Sequence, residues 1–195
     1  MSPRTMVPFA GTGRISGRLF GASLRRANVE RDEIHELLDE LARILIATES
    51  LDSTLLTVSH MTTRALEGCD AAGVTLLESD RSVKSTACTD PLVETVDRAQ
   101  YETGEGPCVQ ALDEDRVIRT GHADEDHRWP RFGELAVRHG IKSVLAFPLE
   151  AGEGSIGALN CYGKGEDAFT EADERVGTLL ASQAAVLLAN VAAYD

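Results

Sequence analysis

The apolar positions of this chain fall into alternating periods, and each period predicts an element. Ile34, Leu37, Leu38, Leu41, Ile44 and Leu45 recur at helical spacing in ERDEIHELLDELARILIA, with Glu, Asp and Arg on the other side. That is an amphipathic helix with a stripe suited to a partner helix. Asp52 and Ser53 offer caps for a second helix through Leu55, Val58, Met61, Thr62 and Leu66, and Gly68 offers its stop. The pattern then shortens. AAGVTLLE (71–78) and SVKSTACT (82–89) flank the polar turn Ser79-Asp80-Arg81 and predict a β-hairpin. Asp90-Pro91 pairs an N-cap with a proline at the first helical position, so a helix runs from there to Arg98 or Tyr101.

In QYETGEGPCVQAL, Gly104 and Gly106 give turn freedom and Pro107 starts a short helix through Cys108, Val109, Ala111 and Leu112. RVIRT predicts a short strand, GHADEDHRWPRF a polar loop, and Pro130 opens a helix that Gly140 closes. KSVLAFPLE (142–150) and SIGALNCYG (155–163) form a second hairpin around Ala-Gly-Glu-Gly. Thr170 and Asp173 have capping-box spacing before a long apolar helix with Val176, Leu179, Leu180, Val186 and Leu187. Antiparallel hairpins with helices between them predict an α+β fold rather than a parallel βαβ one.

Charge divides the chain. Residues 1–30 hold five Arg and one Glu, so +4; the remainder holds 14 basic and 31 acidic residues, so −17. Residues 1–29, rich in Gly, Arg and Ser, predict a flexible basic arm, and 30–195 the folded domain with its flanking amphipathic helices. An acidic body of that size repels phosphate backbones and anionic lipid, so neither nucleic acid nor membrane is an expected partner of the main domain. Cys69, Cys88, Cys108 and Cys161 make no C-x-x-C pair, which predicts free thiols in a cytoplasmic protein. His122 and His127 lie among Asp124, Glu125 and Asp126; a solvated acidic loop is the expectation, with no metal site. No phosphate-cradling Gly-rich loop, Ser-His-Asp set or paired acids are present. Cys108 has three conceivable roles: nucleophile, cofactor ligand, or small buried side chain at a helix start. A helix N-terminus lowers a thiol pKa, which favours the first; free cysteine as a small hydrophobe favours the last.

Taken in order, GEGPC after a helix, a polar loop into WPRF, the strand SVLAFPL, the hairpin into GALNCY, and AFTEADE opening the last helix resemble a GAF domain over about residues 38–192. GEGPCVQAL, with AFPL and GALN downstream, is most similar to the sensory part of actinobacterial GAF–ANTAR regulators. The ANTAR part is not among these residues, and no RNA-binding activity is carried over. The resemblance implies a GAF/PAS-like antiparallel sheet with helices on both faces and the N- and C-terminal helices packed together. It implies a sensory domain that binds a small molecule or a regulatory protein, acts in transcription regulation, and signals through a homodimeric helical bundle. A pure dimerisation scaffold and a free methionine-(R)-sulfoxide reductase are the alternatives.

By the same resemblance, Tyr101, Trp129, Phe132 and Phe147 lie in segments that surround the GAF pocket, and with Cys108 and Asn160 they form the candidate ligand set. His139 sits near the axial-ligand position of haem-binding GAF sensors; the cofactor itself stays unknown. Asn160, Phe169, Asp173 and Glu174 match part of a cyclic-nucleotide pattern whose lysine is replaced here by Cys161. Sulfoxide reductases of this fold carry a cysteine in a similar Gly-x-Gly-x-Cys turn, but their attacking cysteine falls where this chain has RFGELAVRHGIK. The expectation from this gap is that the chain is not an enzyme and has no catalytic residue.

Overall fold

A five-stranded antiparallel sheet in the order β2-β1-β5-β4-β3 organises the chain. The structure is a computed structural model that describes residues 50–78, 82–152 and 154–192, with the isolated positions Glu36 and Asp39. Contacts divide the chain into Met1–Leu38 and Asp39–Asp195. In the first unit only Glu36 is described, helical and exposed; every strand of the sheet and the helices packed on it belong to the second. The basic arm and the stripe from Ile34 to Leu45 lie outside the described residues.

The elements are α1 (Leu51–Ala65), β1 (Ala71–Leu77), β2 (Val83–Thr86), α2 (Pro91–Thr103), α3 (Pro107–Glu114), β3 (Ile118–Thr120), α4 (Pro130–Arg138), β4 (Ser143–Ala151), β5 (Gly154–Gly163) and α5 (Glu171–Ala192). The α+β sheet with helices on both faces is therefore as the sequence predicts. No described helix is long and apolar enough to cross a membrane.

Three details differ. The cap of α1 is Ser50, whose hydroxyl accepts from Ser53 N at 3.3 Å, so Asp52 and Ser53 fall in the first turn instead. Gly68 does not stop α1, which ends in extended backbone at Leu66. A Cβ at Gly68 would meet Ala168 O at 2.0 Å, so close backbone approach requires the glycine. Strand β2 stops at Thr86, because Ala87 takes φ 51 and Thr89 turns back to bond Ala72 through N and Oγ1.

Strand alternation gives the sheet two different faces. Ala71, Gly73 and Thr75 of β1 stand opposite Tyr162, Asn160 and Ala158 of β5, and Val144 and Ala146 of β4 flank the same residues. This face packs under α2, α3 and α4 in a core holding Val93, Val96, Ile118, Trp129, Phe132 and Tyr162. Each such side chain contributes about 1.5–3 kcal/mol on burial. Leu145, Phe147, Leu159 and Cys161 alternate onto the other face, where α1 and α5 pack against the sheet and each other. A Cβ at Gly177 of α5 would lie 2.1 Å from Phe147 Cζ, so that glycine lets the helix settle on the ring.

Candidate functional site

Helix α2 carries the unusual feature. Its inward stripe is Val93, Val96, Asp97 and Gln100, at spacing i, i+3, i+4 and i+7, and all four are fully buried. Half of a helix face turned to the core is thus polar. Asp90 starts the helix by accepting from Leu92 N at 2.7 Å, and Gly104 ends it in the left-handed conformation at φ 69.

The stretch after α2 locks onto that polar stripe. Gly106 has φ 143, and a Cβ there would lie 2.4 Å from Gln100 Oε1. Both the backbone angle and the packed carboxamide demand glycine. Pro107 then opens α3, and Cys108 N donates to Gln100 Oε1 at 2.8 Å. Glu105 points the other way. Its Oε1 accepts from Phe132 N at 3.1 Å and from Arg131 N at 2.5 Å, which caps α4, while Arg131 Nη1 donates to Thr103 O.

The sheet supplies the opposite wall. Asn160 and Tyr162, two apart on β5, point to the same side as Thr75 of β1. Tyr162 OH donates to Asp97 Oδ1 and accepts from Gln100 Nε2 at 2.9 Å. Asn160 Nδ2 lies 3.0 Å from Asp97 Oδ1, 3.0 Å from Thr75 Oγ1 and 3.2 Å from Cys108 Sγ. Tyr101 OH reaches Thr75 Oγ1 at 2.5 Å and is the half-buried member of an otherwise buried set. Asn160 Oδ1 is buried without a hydrogen-bond partner.

Electrostatics follow from this burial. The Cys108 thiol is pushed up to about 12, first by burial and then by the Asp97 charge, against the lowering bonds from Asn160, Thr75 and Tyr101. Position at a helix start therefore does not activate it, and at neutral pH it is a protonated donor toward Thr75 Oγ1, 3.8 Å away. Burial and then Asp97 also hold the Tyr162 phenol well above its ordinary value.

Of the residues singled out by sequence, Tyr101, Cys108 and Asn160 meet in this site. Trp129 and Phe132 lie in the same-face core above it, with the Arg128 guanidinium 4.0 Å over the Trp129 ring. Phe147 is separated from them: it faces the other side of the sheet and lines a groove of about 430 Å³ with Pro148, Thr178, Ala181 and Val186. His139 is exposed and closes α4 through its backbone. Asp173 caps α5 in a reciprocal bond with Thr170, and Glu174 pairs with Arg119 at 3.1 Å, so both are engaged away from Asn160. Among the described residues no three His, Cys, Asp or Glu side chains converge on a point that would hold a metal. All four cysteines are free.

Asp97, Gln100, Thr75 and Tyr162 were not among the sequence candidates. The signal existed for the first two, since 93, 96, 97 and 100 fall on one helical face.

A family model described as GAF domain matches residues 48–189. Among curated proteins no significant match is found. Similar solved structures include a free methionine-R-sulfoxide reductase from Neisseria meningitidis in complex with its substrate, with TM-score 0.65, 17% identity, and coverage of 82% of this chain and 91% of that one. The GAF domain of an Acinetobacter phosphoenolpyruvate-protein phosphotransferase is similar at TM-score 0.63 and 16% identity, covering 83% and 96%. A domain of a two-component sensor histidine kinase protein from Sinorhizobium meliloti is similar at 0.59 and 18%, covering 72% and 92%. The expectation that the chain is not an enzyme is overturned here, because the structures that share its fold include enzymes, the sulfoxide reductases, beside sensor domains.

Proposed function

The chain belongs to the GAF domain family, and from that membership we propose that it is a sensory module binding a small molecule between the sheet and helices α2 and α3. One observation carries the reading. Thr75, Asp97, Gln100, Asn160 and Tyr162 are buried together, and Asn160 Oδ1 is left without a partner. An unsatisfied buried polar group costs about 1–3 kcal/mol, which a core built only for packing avoids.

The bound state is passed to a homodimeric helical bundle. Leu56 of α1 and Leu179 and Val186 of α5 are exposed apolar side chains on helices that touch each other. The likeness of GEGPCVQAL to GAF–ANTAR sensory domains supports a role in transcription regulation, and four free thiols suit the cytoplasm. Native mass spectrometry of the purified chain tests the reading. A dimer carrying a small added mass, lost in Asn160→Ala, is the expected result. A bare chain that no metabolite stabilises against heat would sink it.

A second reading, reduction of free methionine-(R)-sulfoxide, is favoured by the placement of Cys108 in the same site and by the reductases among the similar structures. Turnover of the sulfoxide with dithiothreitol, abolished in Cys108→Ser, would establish it. Absence of turnover in the wild-type chain retires it.

A further inference from the structure

Two of the four free cysteines meet on the side of the sheet that carries α1 and α5. Cys69 lies in the bend between α1 and β1, and its Sγ folds along the strand to donate to Ala71 O at 3.3 Å. The next residue, Ala72, is the direct strand partner of Cys161 on β5, and Asp70 N donates to Tyr162 O at 2.9 Å. This pairing brings the two thiols together from distant parts of the chain. The Cys161 thiol hydrogen-bonds Cys69; burial first, then that bond and the charges of Cys69 and Asp173, hold its pKa well above the ordinary 9. A hydrogen bond that raises a pKa is made by the protonated form, so Cys161 donates to the Cys69 sulfur, whose own proton goes to Ala71 O. Cys88 and Cys108 belong to the opposite face, with α2 and α3.

The surroundings of the pair join both outer helices. A Cβ at Gly163 would lie 2.8 Å from Gly68 O and 2.8 Å from Ala168 Cβ, and Lys164 N donates to Asp70 Oδ2 at 2.7 Å. The bend leaving α1, the end of β5 and the segment leading into α5 are therefore in close contact beside the two thiols. We propose that Cys69 and Cys161 are a redox-sensitive dithiol, closed to a disulfide by a hydroperoxide, that ties the exit of α1 to the entry of α5. Cys69 is 6% exposed and Cys161 fully buried, so the oxidant reaches Cys69 first. The Cys69 sulfur attacks one peroxide oxygen: an S–O bond forms, the O–O bond breaks, and water (or the corresponding alcohol) leaves. The Cys161 sulfur then attacks the sulfenic sulfur, forming the S–S bond as the S–O bond breaks and a water departs. The dithiol loses two electrons and two protons, and the peroxide takes up both. This device needs no ligand and stands apart from the ligand-binding reading.

Mass-spectrometric peptide mapping of the full chain after treatment with hydrogen peroxide tests this. The expected product is a single chain lighter by two hydrogens, with the Cys69 and Cys161 peptides joined and Cys88 and Cys108 still free. Dithiothreitol restores all four thiols. In Cys161→Ser the joined peptide is lost, and dimedone traps Cys69 as its sulfenic acid. Oxidation of the wild-type chain also slows amide hydrogen exchange in the last turn of α1 and the first turn of α5. If Cys161→Ser folds poorly, the wild-type map and exchange decide the matter alone. A link through Cys88 or Cys108, a link between chains, over-oxidised Cys69 without a link, or no loss of thiols overturns the proposal. A Cys69–Cys161 link that leaves exchange in both helices unchanged also overturns it, because the bond then switches nothing.

Discussion

Glu105 lies before helix α3, yet its carboxylate accepts from Phe132 N at the start of α4, 27 residues further along. The same oxygen takes Arg131 N. This one side chain closes a helix that carries Phe132 into the core over the polar site. Glu105→Ala should cost about 1 kcal/mol, the usual value of a lost N-terminal cap, and Glu105→Gln should recover most of it. Urea unfolding reads both; an unchanged midpoint in the alanine variant would remove the cap from the account.

The two glycines around Glu105 should respond differently. Gly104 sits at φ 69 in open space, so Gly104→Ala bears only the backbone penalty of about 1 kcal/mol. Gly106→Ala adds the collision with Gln100 and should cost about 2–3 kcal/mol. It should also loosen the Cys108 amide, seen as faster hydrogen exchange there. Equal losses in the two variants would mean that Gln100 yields freely.

Cys108 gives a pH signature. Its folded pKa of about 12 lies above the ordinary 9, so the folded chain holds a proton that the unfolded chain gives up. The contribution is fully present below pH 9 and is lost as pH rises from 9 toward 12. Between those values the wild type should lose more stability than Cys108→Ser. At pH 8 native Cys108 should resist iodoacetamide while the unfolded chain reacts; fast native alkylation contradicts the burial.

His122 titrates at the surface, where its ring Nε2 meets Asp167 Oδ2 at 3.1 Å. That hydrogen bond raises its pKa above the ordinary 6.5. The pairing is complete below 6.5 and is lost as pH climbs through the raised value. An NMR titration should place the His122 midpoint above that of Asp167→Asn. Coincident midpoints would dismiss the pair.

Leu179 and Val186 are seven apart on α5 and 40% and 56% exposed. If α5 joins a bundle between two chains, Leu179→Lys with Val186→Lys should turn a dimer into a monomer in light scattering and leave the monomer fold intact. A dimer that survives the double change puts the interface elsewhere.

What could be read from sequence tracks how local each determinant is. The Asp90 cap, the Thr170–Asp173 box and both hairpins follow from neighbours within a few positions. Cys108 and Asn160 stood out in the sequence, but what surrounds them could not. Asp97 reads as a surface acid between Thr95, Arg98 and Glu94, and only its phase with Val93 and Val96 places it inside. Tyr162 reads as an ordinary strand aromatic until the fold brings it to Asp97, 65 positions away. The resemblance groups Phe147 with Trp129 and Phe132, because its segment borders the pocket, but strand alternation sends it through to the other face.

The sheet terminates on β2 and β3, of four and three residues. Borders that short leave few open amides and carbonyls to template an added strand. Aggregation by edge-to-edge pairing has little purchase on this molecule.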